Sequence, residues 1–130
     1  MQNNFLFDTN IFIYYFSNEE KVCAFFSEKF LSKNKIYFSV ITEIELLSYP
    51  NLSEKEITTI KDCINSFHLV ELTKEVVKLT IAIRKNYKIG IGDSIIAASA
   101  LYSNSILVTR DMKHFTKIPE LKIINPFDVI

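Results

Sequence analysis

Residues 4–16 read Asn-Phe-Leu-Phe-Asp-Thr-Asn-Ile-Phe-Ile-Tyr-Tyr-Phe. The short apolar run Asn4–Phe7 has the length and composition of a buried strand, and Asp8-Thr9-Asn10 is a helix-capping signal placed directly behind it. Ile11–Phe16 then continues as a helix. The same strand-then-helix grammar recurs along the chain. Ile36–Phe38 is a second β-rich run closed by Ser39, and Val40, Ile41, Ile44 and Leu47 follow at helical spacing up to Pro50. Val22–Leu31 also carries apolar residues at helical spacing. Ser53-Glu54-Lys55-Glu56 is a capping box, with Ile57, Ile60 and Ile64 as its apolar stripe. Phe67–Leu72 reads as a third strand. Thr73 opens a long helix carrying Val76, Val77, Thr80, Ile81 and Arg84. Gly90 and Gly92 punctuate the chain before a helix from Asp93, whose face holds Ile96, Ala97, Ala100 and Leu101. Ile106–Thr109 is a fourth strand, Asp111–Phe115 a helical turn, and Leu121–Ile124 a last strand. Strands alternating with helices predict an α/β fold in three layers. Its central sheet would have about five strands, mostly parallel, with helices on both faces.

Composition bounds the class. A chain of 130 residues with 48% hydrophobic and 23% charged residues has the make-up of one globular domain over 1–130, not of a disordered segment. Two cysteines, Cys23 and Cys63, are too few for a disulfide scaffold, and both read as core residues of a reduced, cytoplasmic protein. The N-terminus lacks the basic and apolar regions of a signal peptide, and no apolar run approaches a membrane span. Fifteen Lys and Arg balance fifteen Asp and Glu, so any nucleic-acid contact must come from local patches.

In parallel sheets the ligand crevice lies beyond the carboxyl ends of the strands. Asp8 ends the first strand, Asp111 comes two residues after the fourth, and Asp93 opens a helix at the end of a buried stripe. Each can serve as an ordinary N-cap. Glu45 lies in an apolar helix, where a carboxylate is costly without a partner. Glu43 competes with it, and two residues apart on a helix only one of them can face a site. Carboxylates gathered together need a cation, and an oxygen-only set suits Mg²⁺ or Mn²⁺. Such ions support phosphodiester hydrolysis. A nitrogen-rich zinc site is not expected, since His68 and His114 have no evident partners. His114 reads as a surface neighbour of a cap.

Four segments taken in order resemble a family: Phe5-Leu-Phe-Asp8-Thr-Asn10, Ser39-Val-Ile-Thr-Glu-Ile-Glu45-Leu, Gly92-Asp93-Ser-Ile-Ile-Ala-Ala98, and Leu107-Val-Thr-Arg-Asp111-Met-Lys-His-Phe115. Together they are similar to the PIN domain, and within it to the VapC-type toxins of toxin–antitoxin pairs. The resemblance runs from about Phe5 to Ile124 and implies a metal-dependent endoribonuclease. It implies Asp8, Glu45, Asp93 and Asp111 as catalytic metal ligands, and selects Glu45 over Glu43 through the Thr42-x-x-Glu45-Leu46 pattern. The fourth position, here Asp111, varies in the family, where Asn and Ser also occur. Thr9, Asn10 and Thr109 would orient the ligands, and Arg110, Lys113 and Lys88 are candidate RNA contacts. The implied cofactor is Mg²⁺ or Mn²⁺, one or two ions. Hydrolysis by metal-activated water would leave 5′-phosphate and 3′-hydroxyl ends. The implied partners are RNA, a cognate antitoxin and a second copy in a homodimer. Alternatives that share these residues are an RNA-processing PIN nuclease outside such a pair and a catalytically silent binding module. The eleven Phe and six Tyr suit either a core or an interface, with Ile11–Phe16 and Val22–Phe30 as candidate interface segments.

Overall fold

The computed structural model describes residues 2–128; Met1, Val129 and Ile130, the ends of the expected 1–130 domain, lie outside the described residues. Strand β1 (Asn4–Phe7) leads into α1 (Thr9–Phe16), and β2 (Lys35–Ser39) into α4 (Val40–Leu47). Between them lie α2 (Glu20–Cys23), a 3₁₀ turn over Ala24–Phe26, and α3 (Glu28–Lys33). Helix α5 (Glu54–Asn65) precedes β3 (His68–Val70), and α6 (Lys74–Asn86) and α7 (Ile91–Tyr102) pack as a pair before β4 (Ile106–Val108). The one-turn helix α8 (Met112–Phe115) and β5 (Ile123–Ile124) complete the order. The five strands run β3-β2-β1-β4-β5, and every pairing among them is parallel.

Alternation along the strands builds two cores. Phe5, Phe7, Ile36, Phe38 and Val108 face one layer, where they meet Ile11, Phe12, Phe26, Leu46, Ile60 and Ile64 from α1 to α5. Leu6 and Leu107 face the other, against Val76, Ile83, Ile96, Ala97 and Ala100 of α6 and α7. A period of two cannot place consecutive residues on one face, so each central strand serves both layers. The first core is aromatic. Phe7 lies 5.0 Å from Phe26, 5.8 Å from Phe12 and 6.0 Å from Phe67, ring centre to ring centre. The expected three-layer α/β architecture is the one observed, with the sheet wholly rather than mostly parallel.

Local readings need correction. Val22–Leu31 is not one helix, because the Ser27 hydroxyl accepts from the Phe30 amide and caps a new one. The third and last strands shrink to His68–Val70 and Ile123–Ile124. Helix α7 starts at Ile91, so Gly92 lies inside it. On α6 the buried stripe is Val76, Thr80 and Ile83, while Val77 and Ile81 are exposed. On α4 the buried residues are Thr42 and Leu46, and Ile44 faces outward. Cys23 is exposed and Cys63 half-buried, so neither is a fully buried core residue.

Candidate active site

Strand order decides where the chemistry gathers. From central β1 the chain moves to β2 on one side, whereas β4 leads to β5 on the other. A crevice therefore opens at the carboxyl ends of β1 and β4, the switch point of the sheet. Asp8 and Thr109 stand at its floor. The Asp8 amide extends the ladder by donating to the Val108 carbonyl at 3.0 Å. Its Oδ1 accepts from the Thr9 amide at 2.8 Å, and its Oδ2 accepts from the Thr109 hydroxyl at 2.8 Å. Asp8 is thus the cap of α1 and part of the cluster at once, because one oxygen serves each purpose. Thr109 is fully buried and also accepts the Asp111 amide at 3.0 Å, so a single hydroxyl ties two acids together.

Glu45 is brought in from the opposite wall. The Thr9 hydroxyl donates to Glu45 Oε1 at 2.6 Å and lies 2.9 Å from the Thr42 hydroxyl. Thr9 has one hydroxyl proton and gives it to Glu45, so Thr42 must be the donor to Thr9. Thr42, Glu45 and Leu46 share one side of α4 at spacings of three and four. Leu46 goes to the aromatic core and Thr42 is buried against Thr9, which turns Glu45 toward Asp8 and leaves Glu43 aside. The Glu45 residue itself is exposed, so it is not a buried carboxylate in an apolar helix.

Asp93 is the third residue of α7, whose N-cap is Gly90, so Asp93 caps nothing and its side chain is half-buried. An acid in a first turn is favoured by the free amides of the helix start. Asp111 caps α8: its Oδ1 accepts the His114 amide at 3.3 Å, and its Oδ2 lies 2.9 Å from His114 Nδ1. His114 Nδ1 is also 3.9 Å from Asp93 Oδ2. His114 is thus no bystander on the surface, and the reading that denied it partners is wrong. The signal was its i+3 spacing from Asp111 on a capped turn.

Electrostatics single out the buried acid. Burial pushes the Asp8 carboxyl up to about 6, helped by the negative charges of Asp93 and Glu45 and opposed by the bonds from Thr109 and Thr9. Burial also raises Asp93, with Asp111 and Glu45 adding to it and His114 opposing. The ionised cluster therefore carries unrelieved negative charge, which a cation would neutralise. Asp93, Asp111 and His114 each offer a ligand atom, all within 4.8 Å of one another, and could hold a metal ion. Asn10 is exposed and makes no side-chain hydrogen bond among the described residues. Lys113 and Lys88 are exposed, and the Lys88 carbonyl accepts from Lys117 Nζ at 3.1 Å. Arg110 donates to the Tyr14 hydroxyl at 3.2 Å, and its guanidinium lies 4.1 Å from the Phe127 ring centre.

No helix among the described residues is long and apolar enough to cross a membrane. No curated protein matches the chain by sequence. The structure is similar to a chain of the toxin–antitoxin complex from Klebsiella pneumoniae. The two share 27% identity and a TM-score of 0.78 over 96% of this chain and 99% of that one. It is also similar to VapBC-1 from nontypeable Haemophilus influenzae, with 25% identity and a TM-score of 0.80 over 96% and 99% of the two chains. VapBC2 from Rickettsia felis, bound to a DNA fragment from their promoter, shares the fold at 24% identity and a TM-score of 0.81, covering 94% and 98%. The model of the PIN domain matches residues 5–121, and the chain belongs to that family.

Proposed function

We propose that the protein is a divalent-metal-dependent endoribonuclease that serves as the toxin of a toxin–antitoxin pair. The observation that carries this reading is the junction of Asp8, Glu45, Asp93 and Asp111 at one switch point, with Asp8 buried and held above the usual carboxylate range. Such a donor set, rich in oxygen and short of positive charge, fits Mg²⁺ or Mn²⁺. Asp8, Glu45, Asp93 and Asp111 would hold one or two ions. When bound, the metal supplies an activated water and charge neutralisation for phosphodiester hydrolysis.

The chain's own residues prepare that site. Thr109 keeps Asp8 and Asp111 in fixed relation through one hydroxyl, and Thr9 does the same for Glu45. Both threonines are buried and their hydroxyls are bonded within the site. Arg110, Lys113 and Lys88 are the cations offered to the phosphate backbone, and with zero net charge their contribution is local. Cleavage of a mixed RNA pool tests the reading. Wild-type protein with Mg²⁺ or Mn²⁺ should yield 5′-phosphate ends, while EDTA or Asp8→Asn should abolish cleavage. Equal cleavage by wild type and variant would sink it.

The partner reading rests on the neighbours' toxin–antitoxin complexes and on one surface. Ile13, Phe16, Leu46, Tyr49, Leu52 and Ile60 form the apolar part of a groove of about 450 Å³ between α1, α4 and α5, which Lys55 and Glu56 also line. We assign it to an apolar segment of the antitoxin. Tyr49 is exposed, so Tyr49→Glu should fold normally and lose capture by a co-expressed antitoxin. Exposed Ile81 and Ile91 offer apolar surface to another copy, in a second groove that Arg84, Lys85 and Lys88 also line, and light scattering of the purified protein would detect a dimer.

A further inference from the structure

Among the described residues that gather at the crevice, His114 brings a nitrogen ligand atom beside the carboxylates of Asp93 and Asp111. Its position is set by the chain rather than by chance rotation. Helix α8 is a single turn, capped at one end by Asp111 and anchored at the other by Phe115, which is fully buried. The His114 amide is bonded to Asp111 Oδ1, so the imidazole rises beside Oδ2 of the same carboxylate. Its side chain is 38% exposed, which leaves the ring accessible from solvent.

Asp93, Asp111 and His114 present ligand atoms within 4.8 Å of one another, close enough for one ion to bridge. Around an octahedral ion with bonds of about 2.1 Å, neighbouring ligands lie about 3.0 Å apart and opposite ones about 4.2 Å. His114 Nδ1 is 2.9 Å from Asp111 Oδ2, close to the neighbouring-ligand spacing, and 3.9 Å from Asp93 Oδ2, between the two spacings. Ligation through Nδ1 needs the neutral ring with its proton on Nε2. Magnesium prefers oxygen and keeps its waters, whereas divalent first-row transition ions accept imidazole more readily, Mn²⁺ the least of them and Co²⁺ more.

We infer that His114 is a metal ligand, joining Asp93 and Asp111 in a mixed nitrogen–oxygen set that selects Mn²⁺ or Co²⁺ over Mg²⁺. The inference rests on the metal-site reading above and adds to it a ligand and a preference among ions. The rival role for His114 is to orient Asp111 by donating a hydrogen bond, without touching metal.

Mn²⁺ bound to the full-length protein distinguishes these roles by pulsed electron paramagnetic resonance. Directly bound imidazole gives a nitrogen coupling in the electron-spin-echo envelope. Wild type should show it and His114→Gln should not. Titration calorimetry should find Mn²⁺ affinity about tenfold weaker in that variant, with Mg²⁺ affinity changed by less than about twofold. Asp93-dependent Mn²⁺ binding without nitrogen coupling, or with a coupling that survives in His114→Gln, would overturn the ligand role and leave the metal site standing. Mn²⁺ binding that is absent, or unaffected by Asp93→Asn, would overturn both.

Discussion

Asp8 shows how one side chain can be a structural cap and a source of functional tension. One oxygen holds the first amide of α1, the other takes the Thr109 hydroxyl, and burial still raises its pKa to about 6. A group raised in the folded state favours folding when protonated. Its contribution is complete below the unfolded value near 3.8 and is lost as pH rises through about 6. Denaturant unfolding of metal-free protein should show Asp8 withdrawing about 3 kcal/mol across that window, and Asp8→Asn should flatten the profile there. The same variant keeps the acceptor for the Thr9 amide but leaves the Thr109 hydroxyl proton unpaired. At pH 8 without metal it should be more stable than wild type by up to about 2 kcal/mol. A lower stability would show that the charge is compensated. Thr9→Val removes the donor to Glu45 and the acceptor for buried Thr42, which predicts a loss of about 1–3 kcal/mol. It should also weaken metal binding by about 10–100-fold in calorimetric titration.

At the scale of elements, which face is buried matters more than whether a helix forms. Val40, Ile41, Ile44 and Leu47 make a plausible stripe on α4, yet the helix buries Thr42 and Leu46. Apolar periodicity misleads here because Thr42 has a hydroxyl partner on α1 that no local pattern reveals. The same limit applies to α6, where Val76 and Val77 are equal in hydropathy and only packing against α7 and the sheet chooses the first. Gly92 is a different case. It lies in the first turn of α7 with no left-handed backbone, and an added methyl would meet Ile41 Cγ2 at an ordinary 3.8 Å. Gly92→Ala should therefore stabilise the protein by about 0.5 kcal/mol in thermal unfolding. Destabilisation would reveal a role for the glycine beyond helix geometry. Asn18 and Asn104 do need the left-handed region, and each follows a helix C-cap where asparagine tolerates it.

For the whole molecule, the aromatic layer and the aliphatic layer hold β1 and β4 side by side from opposite faces. The crevice then needs little of its own stability, since its floor is the end of two strands buried in both cores. Its acids repel one another, so a divalent ion held among them would stabilise the folded chain. At a concentration one hundred times its Kd, a divalent ion that binds only the folded chain should add about 2.7 kcal/mol. Melting temperature should rise accordingly with Mn²⁺, return with EDTA, and respond less below pH 6, where Asp8 holds a proton that the ion must displace. A melting temperature indifferent to divalent ions would count against the metal site at any pH.

The sequence alone determined the alternation of strands and helices, the parallel sheet and the order of its acidic motifs. Those features are written locally, in periodicity, caps and the residues that follow each strand. Asp8 and Asp111 could be placed at strand ends without coordinates, because a strand end is a local event. Only the tertiary structure decided that Thr9 holds Glu45, that Thr109 joins Asp8 to Asp111, and that His114 faces Asp93. Those contacts span residues far apart in the chain, or depend on how a short turn is anchored by a buried Phe115. Burial and charge at a junction of elements belong to the assembled fold, and no stretch of sequence carries them by itself.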